Sequence, residues 1–402
     1  MLFAAVLSAW IQYAADGKPQ ARALVTQSCP SVAYDRTSVP MTQRAPMLSE
    51  LGFNEVVCEA SLPPTASGIS IEQYALPAPP RTVKTVVVFG DTGCRMKGGE
   101  QQNCGDIAAW PFAKIAQSIA AVHADLAIHV GDYYYRENNC VPGVAGCVNY
   151  WGDTSQSWNA DWFVPAKPLF ASVPLVLTRG NHEDCRRGGP AWFRYLEPSE
   201  TTACPNGPAA ADGTPPYALS VGGLRIVELD SSTDTSDVPP ADPARVAYYT
   251  QSFEAARALA EGTRESTWLV THRPPYASAN MTAVLSTTPI DLRPFDVVLV
   301  GHVHDFVAID LASYPPLVVN GESGDDLDEA DATSKYVIAN GYAPGVQAPF
   351  ATKQFGFAVY TRTPTGWTIS LRDTDGIERQ SCTLEPNAAG AAASAPKTIV
   401  RC

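Results

Sequence analysis

Thr85-Val86-Val87-Val88-Phe89-Gly90-Asp91-Thr92-Gly93 is a strand-like run that stops abruptly on a glycine, a carboxylate and a second glycine. A stretch with helical character follows, over residues 107–122, and then a second apolar run, Leu126-Ala127-Ile128-His129-Val130, which stops on Gly131-Asp132. Buried runs separated by a helix are the βαβ signature of a largely parallel sheet covered on both faces. The pattern recurs down the chain: residues 174–178 lead into Asn181, 224–229 precede Asp230, 267–270 lead into His272, and 297–300 lead into His302. Each of these polar residues falls in a loop at the carboxyl end of a strand, where open α/β sheets place their sites.

Five short islands gather the chemistry: Gly90-Asp91-Thr92-Gly93, Gly131-Asp132-Tyr133-Tyr134-Tyr135, Gly180-Asn181-His182-Glu183, His272-Arg273-Pro274-Pro275-Tyr276 and Gly301-His302-Val303-His304. Their carboxylates, phenol, amide and imidazoles are enough hard oxygen and nitrogen donors to hold two metal ions. Taken singly, each has an ordinary reading. Asp91-Thr92-Gly93 reads as a turn, Tyr135 as a half-buried aromatic and Asn181 as a left-handed turn residue. Together, and in this order, they resemble the calcineurin-like metallophosphoesterase superfamily over residues 81–325, and within it the purple acid phosphatase branch. That branch is marked by Gly-Asp-x-Gly, here Asp91 with Gly93, and by a tyrosine three residues after the second Asp, here Tyr135 after Asp132.

The resemblance implies an α/β (α+β) fold, a four-layer α/β/β/α sandwich, to which residues 1–80 add a small β module. It also implies a ligand set. Asp132 would bridge two ions; Asp91, Tyr135 and His304 would complete the shell of Fe(III), to which phenolate and carboxylate are suited; and Asn181, His272 and His302 would hold a divalent ion, Zn, Mn or Fe. His182 would donate a proton to the leaving alkoxide or stabilise the phosphoryl transition state, with Glu183 orienting it. The implied reaction is hydrolysis of a phosphate monoester by in-line attack of a metal-held hydroxide, acid phosphatase type, in a protein coloured by phenolate-to-iron charge transfer. A phosphodiesterase or nucleotide hydrolase of the same superfamily is the alternative, and a non-catalytic exported metal-binding protein a third reading. The branch often carries further histidines between the fourth and fifth islands, and residues 273–301 contain none. Arg273, Tyr276 or Asn280 would substitute there, with Arg95 and Arg179 as further candidates for a phosphate oxygen. His129, inside the second run, reads as a core histidine, and His123 as solvated.

Composition narrows the setting. The 402 residues carry a net charge of −13, so a nucleic acid or an anionic membrane surface would be repelled, and a small phosphorylated substrate needs cations to draw it in. No run reaches the roughly 18 apolar residues that span a bilayer. Ten cysteines fall into neighbouring pairs: 29 with 58, 94 with 104, 140 with 147, 185 with 204 and 382 with 402. Short loops close at least entropic cost, which favours that pairing. With no Cys-x-x-Cys to suggest zinc, disulfides and a periplasmic or secreted location are expected. Three of the pairs would staple loops just after islands. Leu2–Ala9 is apolar like a signal-peptide core but lacks a preceding positive charge, so any export signal is read as cut off or lost. The expected division is a β module and Pro-rich linker over 1–80, a catalytic unit over 81–375, and a tail over 376–402 with an Ala-rich connector at 387–396 closed by a disulfide.

Overall fold

In this computed structural model the described residues are 5–146, 150–205, 207, 213–234, 240–287, 290–329, 331–339, 342, 344–388 and 395–402. Two large sheets lie face to face. In one, Thr85–Phe89, Leu126–His129 and Leu175–Leu177 run parallel as adjacent strands of an eleven-stranded sheet. In the other, Leu224–Glu228, Ser266–Val270, Val297–Val300 and Leu317–Asn320 run parallel within seven strands.

Alternation along each strand explains why the runs are apolar throughout. Val86, Val88, Leu126, Ile128 and Val176 point inward to meet Ile226, Trp268, Val270, Val297 and Leu299 between the sheets. Their neighbours Val87, Phe89, Ala127, Leu175 and Leu177 point outward onto the helices Phe112–Ala120, Lys167–Phe170 and Gly189–Tyr195. On the far side, Val227, Leu269, Val298 and Val319 pack under Pro243–Ala260 and Ala279–Thr287. Helix, sheet, sheet, helix is thus the layer order, as in a metallophosphoesterase sandwich. The expected helix over 107–122 is shorter, Phe112–Ala120, because Pro111 stands where it begins.

The first eighty residues divide between two sheets. Val6–Tyr13, Pro19–Val25, Val56–Ser61 and Thr42–Ala45 extend the eleven-stranded sheet beyond Leu175–Leu177, while Thr37–Pro40, Ser31–Tyr34, Ile69–Ile71 and Tyr74–Leu76 form a separate four-stranded sheet. Residues of the apolar N-terminal stretch that resembled a signal core, Val6 to Ala9, lie in the first of these strands. Every residue of Pro19–Val25 is buried. Ala21, Ala23 and Val25 face the four-stranded sheet, and Leu24 with Trp10 faces the helices that cover the eleven-stranded sheet. Arg22 and Arg44 fasten the joint, donating to the carbonyls of Phe193, Arg194, Tyr195 and Glu197 at the end of Gly189–Tyr195. Those carbonyls have no helical partner of their own, and the helix dipole favours cations there.

At the other end, Glu378–Pro386 and Thr398–Arg401 pair as further strands of the large sheet, joined by Cys382–Cys402. Cys29–Cys58, Cys94–Cys104 and Cys185–Cys204 are bonded as the spacing suggested. The pairing of Cys140 with Cys147, and most of the Ala-rich connector, lie outside the described residues. Among the described residues no helix is long and apolar enough to cross a membrane.

Candidate metal centre

The carboxyl ends of both sets of parallel strands open on one side, and the five islands meet there. Asp91, Asp132 and His302 each adopt a left-handed backbone, at φ 55°, 60° and 72°. Such angles are unfavourable for residues with a Cβ and cluster where a site over-determines the chain. Two glycines make the convergence possible. A Cβ on Gly131 would lie 2.4 Å from His272 Nδ1, and one on Gly180 would lie 2.0 Å from Asp132 Oδ1.

Tyr135 hydroxyl lies 2.9 Å from Asp132 Oδ2, 3.1 Å from Asp91 Oδ1 and 3.0 Å from His304 Nε2. His272 Nε2 lies 3.0 Å from Asn181 Oδ1 and 3.1 Å from Asp132 Oδ2. Donor atoms of Asp132, His272 and His302 all come within 4.8 Å of one another. The fold therefore brings together all seven residues that sequence marked as ligands, with Asp132 touching both halves of the group. Asp91 and Asp132 are buried, and their carboxylates meet the Tyr135 hydroxyl, the backbone N–H groups of His182 and His302, and the His272 ring. This donor set fits cations: buried acceptors crowd one another, and a positive charge in their midst would satisfy all of them.

The protonation pattern follows from the same crowding. Burial lowers the pKa of His272, but Asp132 and Asp91 outweigh it and lift the imidazole to about 9. Burial likewise opposes His304, yet Asp325 and Asp91 carry it to about 10. Asp91 rises to about 6, chiefly through burial. Tyr135 is held far above its usual range by burial and then by Asp132 and Asp91, so only a strongly charged cation in the same space would make it a phenolate. Outer contacts aim the rings. His272 Nδ1 donates to Val130 O at 2.8 Å, turning Nε2 toward Asn181 and Asp132. His304 Nδ1 lies 2.9 Å from both Asp326 O and Arg95 Nη2, leaving Nε2 to face Tyr135.

His182 lies beside this group. Its ring centroid is 4.0 Å from that of Tyr135, and its Nε2 is 3.9 Å from Asp132 Oδ2. Glu183 does not orient it. Both Glu183 oxygens instead accept backbone N–H groups of Asp132, Tyr133 and Gly180, bracing two ligand loops against each other. The carboxylate at the imidazole is Glu137, whose Oε1 lies 2.7 Å from His182 Nδ1, out of hydrogen-bond alignment. Nothing in the island spacing marked Glu137. Asp325 was legible in part, since it follows Gly324 in the loop after the strand Leu317–Asn320.

The residues expected to contact a phosphate oxygen are engaged elsewhere. Arg95 binds Asp325 through Nε at 2.9 Å and Nη2 at 3.1 Å, and Glu100 through Nη1 at 2.8 Å. Arg179 is buried, donates to Glu183 O, pairs with Asp230 and lies over Phe193. Arg273 is buried and donates to Asp234 O. Tyr276 packs with Tyr314 and Tyr342, and Asn280 binds Asp234. Sequence cannot show that a loop carboxylate or carbonyl will consume a nearby guanidinium. His129 is a core histidine: its Nδ1 accepts from Gly131 N, its Nε2 lies 3.0 Å from Thr92 Oγ1, and it stacks on Tyr133. His123 is exposed.

A family model described as calcineurin-like phosphoesterase matches residues 84–306, and the chain belongs to that family. It is a metal-dependent hydrolase of phosphoric esters. Among solved structures it is similar to the purple acid phosphatase PPD1 of yellow lupin (Lupinus luteus) seeds, with TM-score 0.57 and 15% identity, over 94% of this chain and 74% of that one. It is also similar to PhoD, with TM-score 0.58 and 16% identity, over 94% of this chain and 90% of that one. At such identities these likenesses establish the fold. No curated protein matches the chain in sequence.

Proposed function

We propose that the protein is a dinuclear-metal phosphomonoesterase of the acid phosphatase type that works in the periplasm or outside the cell. The observation that carries this reading is the Tyr135 hydroxyl, seated within 3.1 Å of Asp91, Asp132 and His304 donors. A phenol placed among carboxylates and an imidazole suits Fe(III), which Asp91, Tyr135 and His304 would hold with Asp132. Asn181, His272 and His302, with Asp132 shared, suit a divalent ion, Zn, Mn or Fe. Bound there, the ions would supply Lewis acidity toward phosphoryl oxygens and a lowered pKa for water.

The chain's own groups do the rest. The hard anionic donors fix where a phosphate can sit, and burial of the site limits bulk water. His182 lies against the ligand cluster without being one of its seven expected ligands; Glu137 sits at Nδ1, and Nε2, on the Asp132 side, gives its proton to the departing alcohol oxygen. Four disulfides among the described residues support an oxidising compartment, and the net charge of −13 supports a small phosphorylated substrate rather than nucleic acid or membrane. The reading treats residues 81–375 as the catalytic unit.

The test is a visible spectrum with metal analysis on protein purified without chelators. We expect a purple charge-transfer band with about one tightly bound iron, and loss of that band in Tyr135→Phe. A band that persists in the variant would remove Tyr135 from the iron. The monoester of a phenol should also be turned over faster than its diester; the reverse order would favour a phosphodiesterase.

A further inference from the structure

We infer that a cavity at the amino ends of the strands, remote from the metal centre, is a second binding site, and that it takes a small organic molecule through its phosphate group. The cavity measures about 410 Å³, a size typical of small-molecule sites. Ser266 and Trp367, on its wall, open the strands Ser266–Val270 and Trp367–Asp373, and Asp296 immediately precedes Val297–Val300. The five islands lie beyond the opposite ends of the parallel strands, about 16 Å of extended chain away along Ser266–Val270. A small ligand held here does not touch the metal-fitting donors.

Charge singles this cavity out. The chain carries 28 Lys and Arg against 41 Asp and Glu, yet Arg264, Arg362 and Lys397 meet on the wall with Asp296 as its single carboxylate. Asp296 is already engaged. Its Oδ2 accepts from Ser266 Oγ at 2.8 Å and Thr267 N at 2.9 Å, and its Oδ1 lies 3.8 Å from Lys397 Nζ. The cations keep donors to spare. Arg264 has no hydrogen bond or ion pair among the described residues. Lys397 Nζ, with further hydrogens to give, donates to Pro294 O at 2.7 Å. Arg362 uses Nη2 on Gly223 O at 2.9 Å and lies 4.7 Å from the Trp367 ring centroid, while its Nε is buried without an acceptor. Water serves an exposed arginine, but a buried donor without a partner is costly, which sets this wall apart from an ordinary charged surface. Forked guanidiniums match the oxygens of a phosphate, and Pro364, Trp367, Leu384 and Pro386 supply an apolar face for the organic body.

The experiment titrates phenylphosphonate, which cannot be hydrolysed as an ester, into the metal-loaded full chain by calorimetry. We expect about two equivalents per chain, one at the metal centre and one in the cavity. Arg264→Glu, which alters an exposed side chain, and Thr365→Trp, which fills the cavity from an exposed turn, should each weaken one equivalent at least about tenfold while leaving phenyl phosphate turnover within about twofold. Inorganic phosphate should displace that equivalent only at about tenfold higher concentration than phenylphosphonate, because it leaves the apolar face bare. The site is overturned if either variant binds as much as the unaltered chain, and its organic character if inorganic phosphate is equally potent. Binding is read without turnover, so failure to hydrolyse phenyl phosphate would sink the phosphomonoesterase reading and leave this site to be judged by the two variants.

Discussion

At the scale of single residues, the site is a problem of buried charge solved by position. Asp132 is the hinge of that solution. Its two oxygens meet Tyr135, His272 and the His182 N–H, so one side chain ties together three islands far apart in sequence. His182 touches this group through Asp132 and Tyr135 without being one of the seven expected ligands. Replacing it with alanine should lower kcat by about 10²- to 10⁴-fold, the usual worth of a general acid, with iron content and colour unchanged. Kinetics beside metal analysis checks this, and loss of iron in the variant would make His182 a ligand instead. The islands were legible because glycine and carboxylate at a strand end is a local message. Glu137 was not, since its contact with His182 depends on where two loops come to lie.

At the scale of elements, the N-terminal strands show how polar end groups can join one part of a chain to another. Arg44 is buried and binds the carbonyls of Phe193, Arg194, Ser199 and Thr201 together with Glu59. Removing a buried guanidinium that satisfies so many acceptors is expected to cost about 3–5 kcal/mol. Arg44→Ala should therefore unfold at clearly lower denaturant, and a midpoint unchanged from the parent would show that the strands dock by apolar contact alone. The sequence announced a small β module here, closed by a Pro-rich linker. Its membership of the large sheet was hidden, because two-faced burial of Pro19–Val25 becomes meaningful only once the helix Gly189–Tyr195 lies against it.

For the whole molecule, buried carboxyls set the pH dependence of stability. Burial raises Glu228 to about 8, with Thr178 as its hydrogen-bond donor, and raises Asp153 to about 7. A raised folded pKa means that the native state holds protons the unfolded chain has released. Their contribution is complete below the unfolded carboxylate pKa and is lost as pH climbs through the folded values. The protein should accordingly be more stable near pH 5 than near pH 8. Glu228→Gln should flatten the fall by up to about 1.4 kcal/mol per pH unit in that window, read from denaturation midpoints across it. An unaltered slope would mean that Glu228 keeps an ordinary pKa.

What the chain's sequence determined by itself is the largely parallel, helix-covered sheet, the polar residues at the strand ends and their order, and the disulfide pairs seen among the described residues. Each follows from short-range cues: apolar runs that end in glycine and a polar residue, and cysteines close enough to meet cheaply. Tertiary structure alone decided which charges are spent on one another. Arg95, Arg179 and Arg273 looked available for substrate and are bound to Asp325, Asp230 and Asp234 O, while Glu137 took the place expected of Glu183. Electrostatic partnership depends on distance in space, and that distance exists only after the two sheets have closed on each other.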